Sequence, residues 1–408
     1  MDDNRSNTQG AISGQPLPQG VPSHLIALGG GYAFPEMLPD VSLEAANAAR
    51  DFRTEVLQYG PLFGLTELRD EIVRYVGQDG VQVGRDNICV VNGAKQGLDL
   101  ALRTLVEKGD SVIVSRPSYA TALHILGNHG ALTVEVDMDE DGMRADELEK
   151  TLQQMRSEGR PLPKLLYDVP DFHNPTGITL SEDRRRKLVD LAEEFDFYIV
   201  EDDPYRRLRF EGAPVPPIRS FDSHGRVIGA GTFSKIFGPG IRVGWVNADA
   251  DLVYRMATRK TDGGVCPLTQ RIILECLKTG KIDQHVRELL PAYTSHRDAM
   301  VRAVQEYMPD IRFRSPQGGY YMWLELPAQT DCDEVTVMAE REGVAVFSGR
   351  GYFASDPQSN FIRLCFATCT EAQIDEGVRK LGDVIRRTHN LPAGKTSRRA
   401  SHQAKHFD

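Results

Sequence analysis

No stretch of this chain approaches the roughly 20 consecutive apolar residues that a membrane-spanning helix needs, so the sequence reads as that of a soluble protein. Basic residues are in deficit. Lys and Arg number 48 against 58 Asp and Glu, a net charge of −10, and that disfavours a nucleic-acid binder with its basic footprint. Cysteine is sparse and scattered, at Cys89, Cys266, Cys276, Cys332, Cys365 and Cys369. None forms a CxxC pair, and no second pair joins Cys365 and Cys369 in a zinc-binding pattern. The expectation is reduced thiols in a cytoplasmic protein, with no metal. The first twenty residues, MDDNRSNTQGAISGQPLPQG, lack the apolar core of a signal peptide. No internal repeat is present.

What remains is an ordinary globular composition, 40% apolar and 26% charged over 408 residues, enough for two or three domains. Residues 1–23 are rich in Gly, Pro, Asn, Gln and Ser and read as a flexible arm. Residues 24–45 carry Gly29-Gly30-Gly31, Pro35 and Pro39, an ordered extended segment. Helical spacing covers 43–57 and 66–76. From residue 87, short apolar strands alternate with helices: 88–91, 111–115, 131–136, 164–167, 197–201, 226–229 and 242–246. Apolar runs of this kind suit strands covered on both faces, and the alternation implies an α/β architecture with a mostly parallel seven-stranded sheet. A helix covers 182–194, and its Arg184-Arg185-Arg186 reads as a solvated face. A long helical stretch covers 268–308. Strands at 318–326, 344–347 and 361–366, with helices at 334–342 and 371–387, describe a smaller α+β domain. The expected division is a large domain over 46–290, a small C-terminal domain over 291–390, and a disordered tail over 391–408.

Four stretches carry candidate chemistry. In Gly231–Trp245, GTFSKIFGPGIRVGW, the lone Lys235 stands between Ser234 and a glycine turn, with Arg242 close behind. A neutral lysine amine can form a Schiff base with an aldehyde, and a hydroxyl with a guanidinium suits a phosphate. Pyridoxal phosphate (PLP) combines the two, although a surface turn also explains the pattern. Asn92-Gly93-Ala94-Lys95-Gln96 joins a strand to a helix, where free backbone N–H groups attract phosphate; such glycines are also common in plain turns. In Asp171-Phe172-His173-Asn174-Pro175-Thr176-Gly177, either a simple turn or an amide aimed at a phenolate oxygen is possible. Glu201-Asp202-Asp203-Pro204-Tyr205 ends a strand. It suits a metal, or a carboxylate facing a pyridine nitrogen with Tyr205 near the ring hydroxyl.

In this order, with Tyr119 and a late arginine, these motifs resemble the fold-type I PLP-dependent transferases. More narrowly, they resemble class I/II aminotransferases of the 2-aminoadipate/kynurenine branch, which also contains the effector domain of MocR-type regulators. The resemblance spans about 24–388. It implies PLP-dependent transfer of an amino group from an L-α-amino acid to a 2-oxo acid, through an internal aldimine on Lys235, which also shuttles the proton. It implies Asp202 at the pyridinium nitrogen, Tyr205 and Asn174 at the ring oxygen, and Tyr119 on the ring face. The phosphate would meet Gly93, Ala94, Lys95, Ser234 and Arg242, with Tyr59 reaching across a homodimer interface. Arg363 would clamp the substrate α-carboxylate beside Asn174, and Gly30 and Gly31 would lie in the segment capping the substrate.

Three departures stand out. The phosphate turn reads Gly-Ala-Lys instead of Gly-Ser-Gln, so one side-chain contact is lost. His173 stands where Gln is usual, as a local turn residue or a substrate contact. Gly29-Gly30-Gly31-Tyr32 replaces Gly-Gly-Leu-Pro at the capping loop. Two other functions use the same residues. One is a different reaction at Cα, Cβ or Cγ: elimination, replacement, cyclisation or oxidation. The other is a non-catalytic PLP-sensing regulatory domain, which the short polar stretch ahead of the match and the acidic charge disfavour.

Overall fold

The computed structural model describes residues 25–389. The arm at 1–23 and the tail at 391–408 lie outside the described residues. A central sheet runs in the order Ile88–Val91, Gly244–Asn247, Val227–Thr232, Tyr198–Asp203, Leu165–Asp168, Ser111–Arg116, Leu132–Asp139, Gly142–Met143. The five strands from Val227–Thr232 to Leu132–Asp139 are mutually parallel. Gly244–Asn247 is antiparallel to both neighbours. The sheet thus has eight strands, one more than the pattern suggests, because the two-residue strand Gly142–Met143 folds back on Leu132–Asp139. Two residues are too few to leave a periodic signal.

Strands are buried along their length both at the sheet edge, as in ICVV at 88–91, and inside it, as in VIGAGT at 227–232. Helices cover both faces, and each fully buried Leu or Val there contributes roughly 1.5–3 kcal/mol. A four-stranded antiparallel sheet, Arg312–Phe313, Tyr321–Glu325, Phe361–Cys365 and Phe347–Ser348, forms a second layer with its own core of Met322, Leu324, Ile362, Leu364, Val378 and Leu381. The expected strand at 344–347 is split. Val344–Ala345 pairs instead with Ile26–Ala27, so the extended N-terminal segment is stitched to the smaller sheet's core. The long helical stretch is likewise two helices, Pro267–Lys278 and Lys281–Tyr307, parted at Thr279-Gly280, where Gly280 takes φ +71°.

The arginine triplet departs from expectation. Helix Glu182–Phe195 starts with Glu182 and Asp183, acidic residues that suit its positive end. Arg186 is exposed, but Arg185 lies on the same buried face as Leu188 and Val189 and is fully enclosed. Charge periodicity misses it because its partner, Asp171, sits in a distant loop at 3.1 Å. Asp171 also meets Arg206 and Arg209, each at 3.0 Å. Burial pushes the Asp171 carboxyl up, but Arg206, Arg185 and Arg209 together hold it below its ordinary value. This network anchors the loop that leads into Asn174. Asp171→Ala leaves three arginines without their shared anion and is expected to cost about 3–5 kcal/mol in urea unfolding; a loss under about 1 kcal/mol contradicts this role.

Candidate active site

The candidate residues converge at the C-terminal edge of the parallel strands, where open α/β sheets place their sites. Asp202 is the penultimate residue of Tyr198–Asp203, Asn174 follows Leu165–Asp168, and Lys235 follows Val227–Thr232. Lys235 Nζ donates to the Gly31 carbonyl at 2.7 Å, and its own carbonyl accepts from Tyr320 at 2.7 Å. A Cβ on Gly31 would run into the Tyr321 hydroxyl, so only glycine lets the N-terminal segment pass this close.

Around the glycine turn, Arg242 takes a left-handed backbone, φ 53°, which aims its guanidinium at Ser234 Oγ (3.4 Å) and the Asn92 carbonyl (2.5 Å). Gly93, at φ +87°, sits under that guanidinium; a Cβ there would lie 2.7 Å from Nη2. Ser234 Oγ is itself set by Thr232 Oγ1 at 2.9 Å. The helix Ala94–Leu105 therefore presents its N-terminus beside Ser234 and Arg242, an anion-favouring arrangement. Lys95 turns inward: its Nζ lies 5.9 Å from the Tyr119 ring centre, and its charge acts on Asp202.

On the substrate side, Arg363 is buried on the strand Phe361–Cys365. Its guanidinium donates to Asn174 Oδ1 at 2.9 Å and the Gly29 carbonyl at 2.7 Å, and lies 4.1 Å from the Tyr321 ring centre. Arg363 Nε is buried without a partner. Tyr205 hydrogen-bonds Tyr321. Thr368 Oγ1 donates to the Gly30 and Tyr32 carbonyls and fixes the capping loop.

Asp202 Oδ2 accepts from Tyr167 at 2.7 Å, while Oδ1 is buried with no partner. Burial pushes the Asp202 carboxyl up to about 6; the Tyr167 hydrogen bond opposes this. The neighbouring Glu201 is already spent on the Ile218 and Arg219 amides and on Arg206, so the metal alternative does not fit this stretch. His173 is a buried turn residue: Nδ1 meets Thr176 Oγ1 at 3.0 Å, and burial drives its pKa down to about 3. Tyr59 stands apart from the cluster, 91% exposed beside the turn at Gly263. Tyr167, Tyr320, Tyr321 and Thr368 are site residues that the motifs do not reveal. Only the adjacent Tyr320-Tyr321, in an alternating strand, offers a signal.

Residues 26–381 match the family model described as aminotransferase class I and II. The chain is 35% identical to the aromatic-amino-acid aminotransferase 1 of Thermococcus litoralis over 370 residues, 89% of this chain and 88% of that protein. It superposes on a Pyrococcus horikoshii kynurenine aminotransferase solved with PMP, at a TM-score of 0.86 and 34% identity, covering 90% of this chain and 91% of that one. A multiple substrate aminotransferase from Thermococcus profundus gives 0.85 and 36%, covering 90% and 93%. The chain belongs to the class I and II aminotransferase family. It has the fold-type I architecture and is a PLP-dependent aminotransferase that transfers amino groups.

The residues present suit that cofactor. The open buried Oδ1 of Asp202 matches a protonated ring nitrogen, and the Gly93–Ser234–Arg242 cradle matches a phosphate. Without the cofactor, Asp202 is a liability. The folded protein holds its proton more tightly than an unfolded chain does, so ionised Asp202 costs stability above about pH 6. That cost fades as the pH falls through 6 towards 4. Cofactor-free Asp202→Asn is therefore expected to be more stable than the parent at about pH 8, by roughly 3 kcal/mol, with the gap closing towards about pH 4. Thermal unfolding across pH checks this, and a parent at least as stable at pH 8 contradicts it.

Proposed function

We propose that Lys235 attaches the cofactor and moves the substrate proton, with the surrounding residues dividing the remaining work. When bound, PLP supplies an aldehyde that condenses with amines and a cationic ring that draws electrons from Cα. Asp202 holds the ring nitrogen protonated, Tyr205 and Asn174 orient the ring oxygen, and Tyr119 covers the ring face. The amides at Gly93, Ala94 and Lys95, the Ser234 hydroxyl and Arg242 hold the phosphate. Arg363 binds the substrate α-carboxylate as a bidentate pair, and that fixes Cα within reach of Lys235 Nζ. Nζ then takes the Cα proton. The observation carrying this reading is the buried, unpartnered Oδ1 of Asp202 in the same cluster as Lys235 and Arg363.

A substrate class is supported by an apolar pocket of about 420 Å³ beside the capping loop and the Gly238–Gly240 turn, lined by Tyr32, Pro35, Leu38, Val41, Phe237 and Ile241 among others. No Lys or Arg lines it, so nothing there pairs with a distal carboxylate. Large apolar or aromatic amino acids are the proposed donors, in keeping with the aromatic and kynurenine substrates named for the relatives. The working unit is a homodimer: Leu57, Tyr59 and Leu62 are all exposed, and Tyr59 of the partner subunit completes the phosphate site. A cytoplasmic location is supported by six free thiols, five of them buried. Among the described residues no helix is long and apolar enough to cross a membrane. A domain boundary at 290/291, inside helix Lys281–Tyr307, is supported by that helix's buried face, whose Leu289 and Tyr293 pack in the large sheet's core and whose Ala299, Met300 and Ala303 pack in the smaller one's.

A donor panel read by cofactor absorbance and oxo-acid release tests this reading. Phenylalanine, tyrosine or kynurenine is expected to exceed aspartate by at least tenfold in kcat/KM, roughly the worth of a filled apolar pocket. A preference for aspartate overturns the substrate class. Turnover that releases ammonia without the pyridoxamine form overturns amino transfer. Arg363→Ala is expected to lose about a hundredfold in kcat/KM towards every donor alike, the loss of a bidentate ionic contact.

A further inference from the structure

A buried carboxylate that must stay ionised needs a group to oppose its burial. At Asp202 that group is a phenol. Tyr167 is fully buried on the strand Leu165–Asp168, which runs parallel to Tyr198–Asp203. The register sets Tyr167 opposite Val200, so Asp202 is its diagonal neighbour on the same face, within reach of a long side chain. Its Oη donates to Oδ2 at 2.7 Å, while Oδ1 keeps no partner. The two oxygens of one carboxylate are thereby made unequal.

We propose that Tyr167 is the positioning residue for the cofactor's ring nitrogen. By occupying Oδ2 it fixes the carboxylate's orientation, holds it anionic, and leaves Oδ1 as the acceptor for the ring N–H. This rests on the assignment of Asp202 to that nitrogen. The surrounding charges agree. Burial and the Asp203 charge push the Asp202 carboxyl up, while the Tyr167 hydrogen bond, Lys95 and Lys235 pull it down. Burial, then the Asp202 charge, keep the phenol itself far above its ordinary pKa, so it remains a donor. Without the hydroxyl, Oδ2 is dry and unpaired, and the carboxyl retains its proton instead. A neutral acid is a poor partner for a pyridinium.

A tyrosine that merely fills the core affects every ligand of the pocket alike; a positioning residue affects only ligands that carry the ring nitrogen. The full-length protein, freed of cofactor, is titrated by fluorescence with PLP and with its 1-deaza analogue, whose ring has carbon in place of nitrogen. Tyr167→Phe is expected to weaken PLP roughly tenfold, the scale of one charge-assisted hydrogen bond, and to leave the analogue unchanged within about threefold. Equal weakening of both, or of neither, overturns the proposal. Asp202→Ala serves as the control. If it weakens both ligands equally, the Asp202 assignment falls; if it weakens PLP alone and Tyr167→Phe does not, only the role of Tyr167 falls. Should Tyr167→Phe not fold, 3-fluorotyrosine at 167 keeps the shape and donates more strongly. It is expected to extend the preference for PLP over the analogue down to about pH 5, and an unchanged preference there overturns the proposal.

Discussion

A carboxylate placed where water cannot reach it, and given only half its hydrogen bonds, is the constraint on which this site depends. Asp202 is unfavourable in the folded protein unless a cation meets its free oxygen. The sheet makes the position possible: Asp202 lies in an interior strand, flanked by parallel neighbours that bury it and bring Tyr167 to one side. The fold thus stores a demand for a positively charged ring at the edge of the strands, and a PLP-dependent aminotransferase answers it with its cofactor.

The other groups follow from that edge. Three successive sheet neighbours, Leu165–Asp168, Tyr198–Asp203 and Val227–Thr232, bring Asn174, Asp202 and Lys235 to one edge, Asp202 from within its strand and the other two from the loops that follow theirs. The smaller sheet contributes Arg363 and Tyr321, and the N-terminal segment is threaded between the two by the pairing of Ile26–Ala27 with Val344–Ala345. Gly31 then passes so close to Lys235 and Tyr321 that a side chain has no room. The candidate site is therefore framed by segments whose contacts span the described chain.

Much of this was legible in residue order alone. Lys235, Asp202, Asn174 and Arg242 lie in short motifs, each open to a plainer reading alone and marked only by their order along the chain, while Arg363 enters through the family resemblance. Tyr167 was not legible, since it reads as one more apolar residue in a buried strand, and the pair Tyr320-Tyr321 marks a strand without revealing a role; both depend on which element lies beside them. Arg185 misled for the same reason, its three-charge run looking solvated until Asp171 was brought to it from another loop. The split at Val344–Ala345 and the back-folded Gly142–Met143 escaped because two-residue pairings carry no periodicity, only tertiary position.

The claim on which the rest turns is that Lys235 is the attachment point. Reducing the PLP-loaded protein with borohydride and mapping the modified peptide by mass spectrometry reads this directly. A single pyridoxyl label is expected on Lys235, in the tryptic peptide Val227–Arg242. A label on the inward-facing Lys95, or none at position 235, would contradict it.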